Sequence, residues 1–137
     1  MKIGIEGFTF DSAHYTSGIS EKCSNIHGHT FEADVEIDGG EIDEESGMVL
    51  DFGILKNTVR DILKDWDHKL LIPEHKAKEI KTEGPFDLEL KTIKGKAATT
   101  ENIARGIARE IYKELNLPVE VKVYEGKKSY AIGRWPE

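Results

Sequence analysis

The stretch from His27 to Asp38 constrains the fold most. His27, His29, Phe31, Ala33, Val35 and Ile37 share one parity, and Thr30, Glu32, Asp34 and Glu36 share the other. Successive side chains of a strand leave opposite faces, so this clean period of two marks a strand with one dry side and one wet side. Residues 2–14 read as a second strand, joined to the first by the polar loop SGISEKCSN, and the two should pair as a hairpin. The dry face of that hairpin needs an apolar layer to cover it.

Two segments can supply the layer. Asp51 is suited to cap a helix in which Phe52, Leu55, Val59, Ile62, Leu63 and Trp66 recur at steps of three and four. A second helix begins near Thr99 and Thr100, aligns Ile103, Ile107, Ile111 and Leu115, and is stopped by Asn116 and Pro118. Residues 119–125 and 129–135 then read as two strands of a closing hairpin that turns at Gly126. The acidic DGGEIDEESG reads as a solvated loop; segment 72–98, which contains Gly84-Pro85 and Gly95, has room for a short hairpin. The order ββααββ implies an α+β fold, an antiparallel four-stranded sheet with both helices on one face. A chain of 137 residues fits one domain, 1–137.

Composition removes several functional classes. A net charge of −7 argues against general nucleic-acid binding, which needs a basic surface to replace phosphate counterions. No apolar run approaches the roughly 20 residues that cross a bilayer. The first residues lack the apolar block of a secretory signal, so no membrane association and a cytoplasmic location are expected. Cys23 is the sole cysteine and cannot form an internal disulfide, in keeping with a reducing compartment. Taken alone, such a cysteine is more often a small buried apolar residue than a reactive thiol.

The histidines are more telling. His27 and His29, two apart on a strand, leave the same face about 7 Å apart at the backbone and can close on one ion. His14 ends the preceding strand at the same end of the hairpin and can supply a third nitrogen. Gly28, between them, permits close approach of backbone or ligand. A lone His-x-His is usually an ordinary pair, but three of five histidines at one hairpin end, near the sole cysteine, favour a metal site. Three imidazoles with an open fourth position are a common catalytic zinc set. Zinc is preferred to iron because no carboxylate is evident to complete a two-histidine facial triad.

Cys23-Ser-Asn-Ile-His27-Gly-His29 resembles the Cys-x3-His-Gly-His signature of the 6-pyruvoyl-tetrahydropterin synthase and 6-carboxy-tetrahydropterin synthase family. Phe10-Asp-Ser-Ala-His14 resembles its first ligand motif, Gly47-Met-Val-Leu-Asp51-Phe52 its helix-start motif, and Asp67-His68 its Asp-His pair. Thr99-Thr100-Glu101-Asn102 resembles the start of its second helix and Val121-Lys-Val-Tyr-Glu125 its last strand, so the resemblance runs through nearly the whole chain. It implies the tunnelling fold (T-fold), whose members join as trimers into a barrel and stack into hexamers, with pockets between subunits. It also implies a zinc ion on His14, His27 and His29, and 7,8-dihydroneopterin triphosphate as substrate.

The same resemblance makes Cys23 the catalytic base, with Asp67 and His68 activating its thiol and moving protons. It implies that Glu125 grips the pterin ring and that Thr99, Thr100 and Glu101 line the pterin pocket. Three residues between cysteine and His-Gly-His resemble the 6-carboxy enzymes of 7-deazapurine (queuosine and archaeosine) biosynthesis, which release acetaldehyde and triphosphate. The alternatives are a 6-pyruvoyl product, an aldolase-like cleavage, or a non-catalytic pterin or zinc module. Ile72, Ala98 and Gly126 depart from the family pattern, where asparagine, proline and threonine are common. Read without the resemblance, Asp67-His68 is a polar helix end and Thr99 or Thr100 a helix cap, while Glu125 is either a charge that ends the core-facing row Val119, Val121 and Val123 and needs a partner, or an exposed strand end at Gly126.

Overall fold

The computed structural model describes residues 1–18 and 20–137. Among them the elements in chain order are β1 Lys2–His14, α1 Glu21–Ser24, β2 His27–Asp38, α2 Phe52–Lys64 and β3 Leu70–Pro73, followed by α3 Glu74–Ala77, β4 Leu90–Ile93, α4 Thr100–Leu115, β5 Val119–Glu125 and β6 Ser129–Trp135. The strands form one sheet in the order β4-β3-β1-β2-β5-β6. β1, β2, β5 and β6 pair antiparallel in turn, whereas β3 runs parallel to both β1 and β4.

The α+β class holds, but the antiparallel four-stranded sheet and the ββααββ order do not. β3 and β4 extend the sheet to six strands and make it mixed. All four residues of β3 are buried, so its sequence is a plain apolar run with no alternation to read. Four residues are also too few for a period to register in β4. The short hairpin allowed for in 72–98 is absent, because β3 and β4 are parallel neighbours linked through α3. The loop around Cys23 contains α1, a single helical turn.

The dry face of the sheet carries the core. Phe10, Phe31, Val35, Ile37, Val121 and Val123 pack there against Leu55, Val59 and Leu63 of α2 and Ile103, Ile107 and Ile111 of α4. Both helices start as their caps require: the Asp51 carboxylate accepts from the Gly53 and Ile54 amides at 2.7 and 3.2 Å, and the Thr99 hydroxyl accepts from the Asn102 amide at 3.3 Å. α4 ends on Asn116 in the left-handed region, as expected. Phe52, counted in the α2 stripe, is instead exposed, because it opens the helix before the stripe reaches the core.

One irregularity decides which way the site residues point. Ile5 pairs with Val35 and Phe8 with Ala33, so β1 holds one extra residue across a β-bulge. Gly7 takes φ +85° there, and its amide donates to Asp34 Oδ1 at 2.9 Å. The inward parity accordingly switches from Ile3 and Ile5 to Phe8, Phe10, Ser12 and His14. His14 therefore faces the core alongside β2's inward residues.

Candidate metal centre and substrate site

His14 lies directly opposite His27 in the β1–β2 ladder, and Ser12 lies opposite His29. Facing residues of adjacent strands project to the same side, so the three imidazoles converge, with ring centroids 4.6, 4.9 and 5.0 Å apart. β5 adds a fourth group, since Glu125 stands opposite Phe31 and reaches back along the same face. Its Oε1 is 3.0 Å from His14 Nε2 and 3.2 Å from His29 Nε2. The four ligand atoms lie within 4.8 Å of one another.

The ring hydrogens show what this cluster can take. His14 Nδ1 is 2.7 Å from the Ala98 carbonyl and His27 Nδ1 is 2.7 Å from the Asn25 carbonyl. A carbonyl only accepts, so each Nδ1 carries hydrogen and each neutral ring leaves a bare lone pair on Nε2. The Nε2 atoms of His14 and His29 are buried without a hydrogen-bond partner. Burial is the main cause that holds His29 below the usual histidine range; the Glu125 carboxylate opposes it, and His14 and His27 add to it. Inward lone pairs facing a carboxylate oxygen repel unless a cation sits among them, and three imidazoles with one carboxylate suit a borderline divalent ion such as zinc. Glu125 is the carboxylate the sequence argument against iron took to be missing, so the choice of zinc rests on the three imidazoles alone.

The other expected residues divide into groups. Asp67 and His68 form a pair, His68 Nδ1 donating to Asp67 Oδ2 at 2.7 Å, while Asp67 Oδ1 accepts the Asp11 amide at 2.8 Å. That amide is the main cause of the depressed Asp67 pKa, with His68 adding to it. His68 lines an open cleft of about 570 Å³ whose wall mixes Asp11, Ala13, Gly28 and Thr30 of one parity with Ser12 and His29 of the other. The Asp-His pair thus borders the same cleft as His29 but contributes no atom to the four-residue cluster. Cys23 is exposed on α1 and lies outside the four-residue cluster. Thr99 caps α4, Thr100 is buried, and exposed Glu101 lines a groove with Arg105 and Arg134 instead of joining the cluster.

Some features escaped the sequence reading. The Ala98 and Asn25 carbonyls fix two ring tautomers, and a backbone acceptor leaves no mark in side-chain identity. Ala98 in place of proline therefore keeps the relevant atom. Ile72 completes the buried β3 run, and Gly126 takes φ +76° in the β5–β6 turn, so both departures have local structural reasons. Gly28 does not meet the expectation of a tight approach within the chain, because a Cβ there would lie at an ordinary 3.7 Å from the Ser12 carbonyl oxygen.

Comparison with known proteins agrees with this geometry. The chain is 32% identical over 136 residues to the 6-carboxy-5,6,7,8-tetrahydropterin synthase of Haemophilus influenzae, covering 95% of this chain and 96% of that one. It is 34% identical over 113 residues to the protein of the same name from Rickettsia bellii, covering 77% of each. Among solved structures it is similar to the 6-pyruvoyltetrahydropterin synthase of Plasmodium vivax, in a mutant form, with a TM-score of 0.77 at 22% identity over 98% of this chain and 96% of that one. It is similar also to that of Caenorhabditis elegans, with a TM-score of 0.67 at 25% identity over 96% and 94%. Residues 3–135 match the family described as 6-pyruvoyl tetrahydropterin synthase. The chain belongs to the 6-pyruvoyl tetrahydropterin synthase family.

Proposed function

We propose that the protein converts 7,8-dihydroneopterin triphosphate to 6-carboxy-5,6,7,8-tetrahydropterin, releasing acetaldehyde and triphosphate, as a step toward 7-deazapurines. The observation that carries this reading is the convergence of two buried, unpartnered imidazole nitrogens and a carboxylate, in a chain 32% identical to a 6-carboxy-tetrahydropterin synthase over nearly its full length.

His14, His27 and His29 would hold zinc, which supplies Lewis-acid polarisation of the side-chain oxygens and acidifies the neighbouring C–H. Cys23 takes up that proton as a thiolate. Asp67 holds the His68 ring through Nδ1, which leaves Nε2 free to exchange a proton with the thiol. Glu125 accepts hydrogen bonds from the pterin ring N–H and amino group, which rejects rings lacking that edge. Thr99, Thr100 and Glu101 line the pterin pocket. Among the described residues neither Cys23 nor the Asp-His pair joins the histidine cluster, which supports a reading in which Cys23 is served by the pair of a neighbouring copy in a homo-oligomer.

The test is product mass after incubating zinc-loaded protein with dihydroneopterin triphosphate. A 6-carboxy product with acetaldehyde is expected. A 6-pyruvoyl product or a free aldehyde of different mass would assign a different reaction within the family, and absence of turnover would remove the enzymatic reading.

A further inference from the structure

The turn that presents Asp67 and His68 lacks its own closing bond. Trp66 and Lys69 stand three residues apart, the spacing at which a β-turn joins its first carbonyl to its last amide. Among the described residues these two groups do not bond to each other; both go to the hydroxyl of Ser12. Ser12 Oγ donates to the Trp66 carbonyl and accepts from the Lys69 amide at 3.3 Å. A hydroxyl has one hydrogen and two lone pairs, so one side chain can satisfy both groups. Ser12 is buried at the wall of the open cleft that His68 and Lys69 also line.

The turn needs that support. His68, its third residue, sits at φ +56°, a region uncommon for a residue with a side chain. Its amide donates to the Asp11 carbonyl at 2.6 Å, and the Lys69 carbonyl accepts the Ala13 amide at 2.9 Å. These backbone bonds fasten His68 and Lys69 to β1, while the Trp66 amide donates to the Leu63 carbonyl at 3.0 Å. Among the described residues, the Ser12 hydroxyl is what bridges the Trp66 carbonyl to the Lys69 amide.

We propose that Ser12 is a positioning residue: its hydroxyl, inserted between Trp66 and Lys69, holds the turn open and sets the orientation of the Asp67–His68 pair. Without it, the two backbone groups lose their shared partner, and the imidazole moves. The catalytic consequence rests on the proposed function, in which His68 exchanges protons with a thiol. The geometric consequence does not.

The experiment compares Ser12→Ala and the near-isosteric Ser12→Cys with Ser12→Thr, which keeps the hydroxyl. Lys69 amide exchange and the His68 imidazole nitrogen shifts are read by NMR, beside kcat, KM and bound zinc. In the Ala and Cys variants we expect faster Lys69 exchange and shifted His68 signals. A misplaced group costs roughly ten- to a hundred-fold in kcat, with KM and zinc content unchanged, and Ser12→Thr should restore both kinds of readout. Unaltered His68 and Lys69 signals in the Ala and Cys variants would overturn the proposal. So would a fall in kcat that tracks lost zinc or lost fold. If wild-type protein fails to turn over the pterin, the proposed function fails, and the NMR readout alone then decides the role of Ser12.

Discussion

At the scale of single residues, the histidine cluster makes sharp predictions because its nitrogens have few alternatives. His14 has Nδ1 committed to a carbonyl and Nε2 buried, so His14→Ala should abolish zinc retention, measured by metal content after dialysis. Glu125→Ala should keep the metal on three imidazoles and raise KM instead; loss of metal in that variant would make Glu125 a ligand. The depressed pKa of His29 fixes the direction of the pH response. A histidine that binds its proton less readily when folded adds stability above its unfolded value, about 6.5, and loses that stability as pH falls through the lower folded value. Metal-free protein should therefore become easier to unfold as pH drops below about 6.5, which urea midpoints at several pH values would show. His68 adds a different kind of residue-scale effect. Its left-handed backbone costs about 1 kcal/mol that glycine avoids, so His68→Gly should raise Tm by a few degrees while removing turnover, as strain kept for function predicts.

At the scale of elements, the pattern of β2 and the stripe of α4 were legible because each is long enough for its period to show and is dry on one side only. β3 and β4 were not, since four residues carry no period and β3 is buried on both faces. The β1 bulge left a faint signal: inward apolar residues at odd numbers, Ile3 and Ile5, give way to even ones, Phe8 and Phe10, across Glu6-Gly7. That switch carries His14 onto the core face. A Cβ at Gly7 would touch nothing within 4 Å, so substitution there costs only backbone strain. Gly7→Ala should destabilise by about 1 kcal/mol, lowering Tm by roughly 3–5 °C with zinc content unchanged. Gly133 makes the contrasting case. A Cβ there would come within 2.4 Å of the α4 backbone, so Gly133→Ala should cost more than Gly7→Ala in the same melting experiment.

At the scale of the whole molecule, the histidines were legible as a site because one hairpin end gathers them, and hairpin register can be counted along the chain. How the remaining candidate residues relate to them was not, since it depends on where the turn after α2 docks along β1. Asp67 and His68 dock at Asp11 on the β3 side of β1 and border the cleft that His29 also lines. If Cys23 works with the pair of a neighbouring copy, two inactive variants can repair each other. In a mixed assembly of Cys23→Ala and His68→Ala chains, a site regains both groups when its thiol comes from one parent and its imidazole from the other. Equal random mixing of subunits makes about a quarter of such shared sites complete. Co-refolding the two variants should therefore recover up to about a quarter of wild-type turnover, whereas each alone stays inactive. Sites built within one chain would recover nothing, since every chain would still lack one group. That result would place Cys23 beside the His68 of its own chain, a proximity that a Cys23 spin label paired with one at position 68 would report.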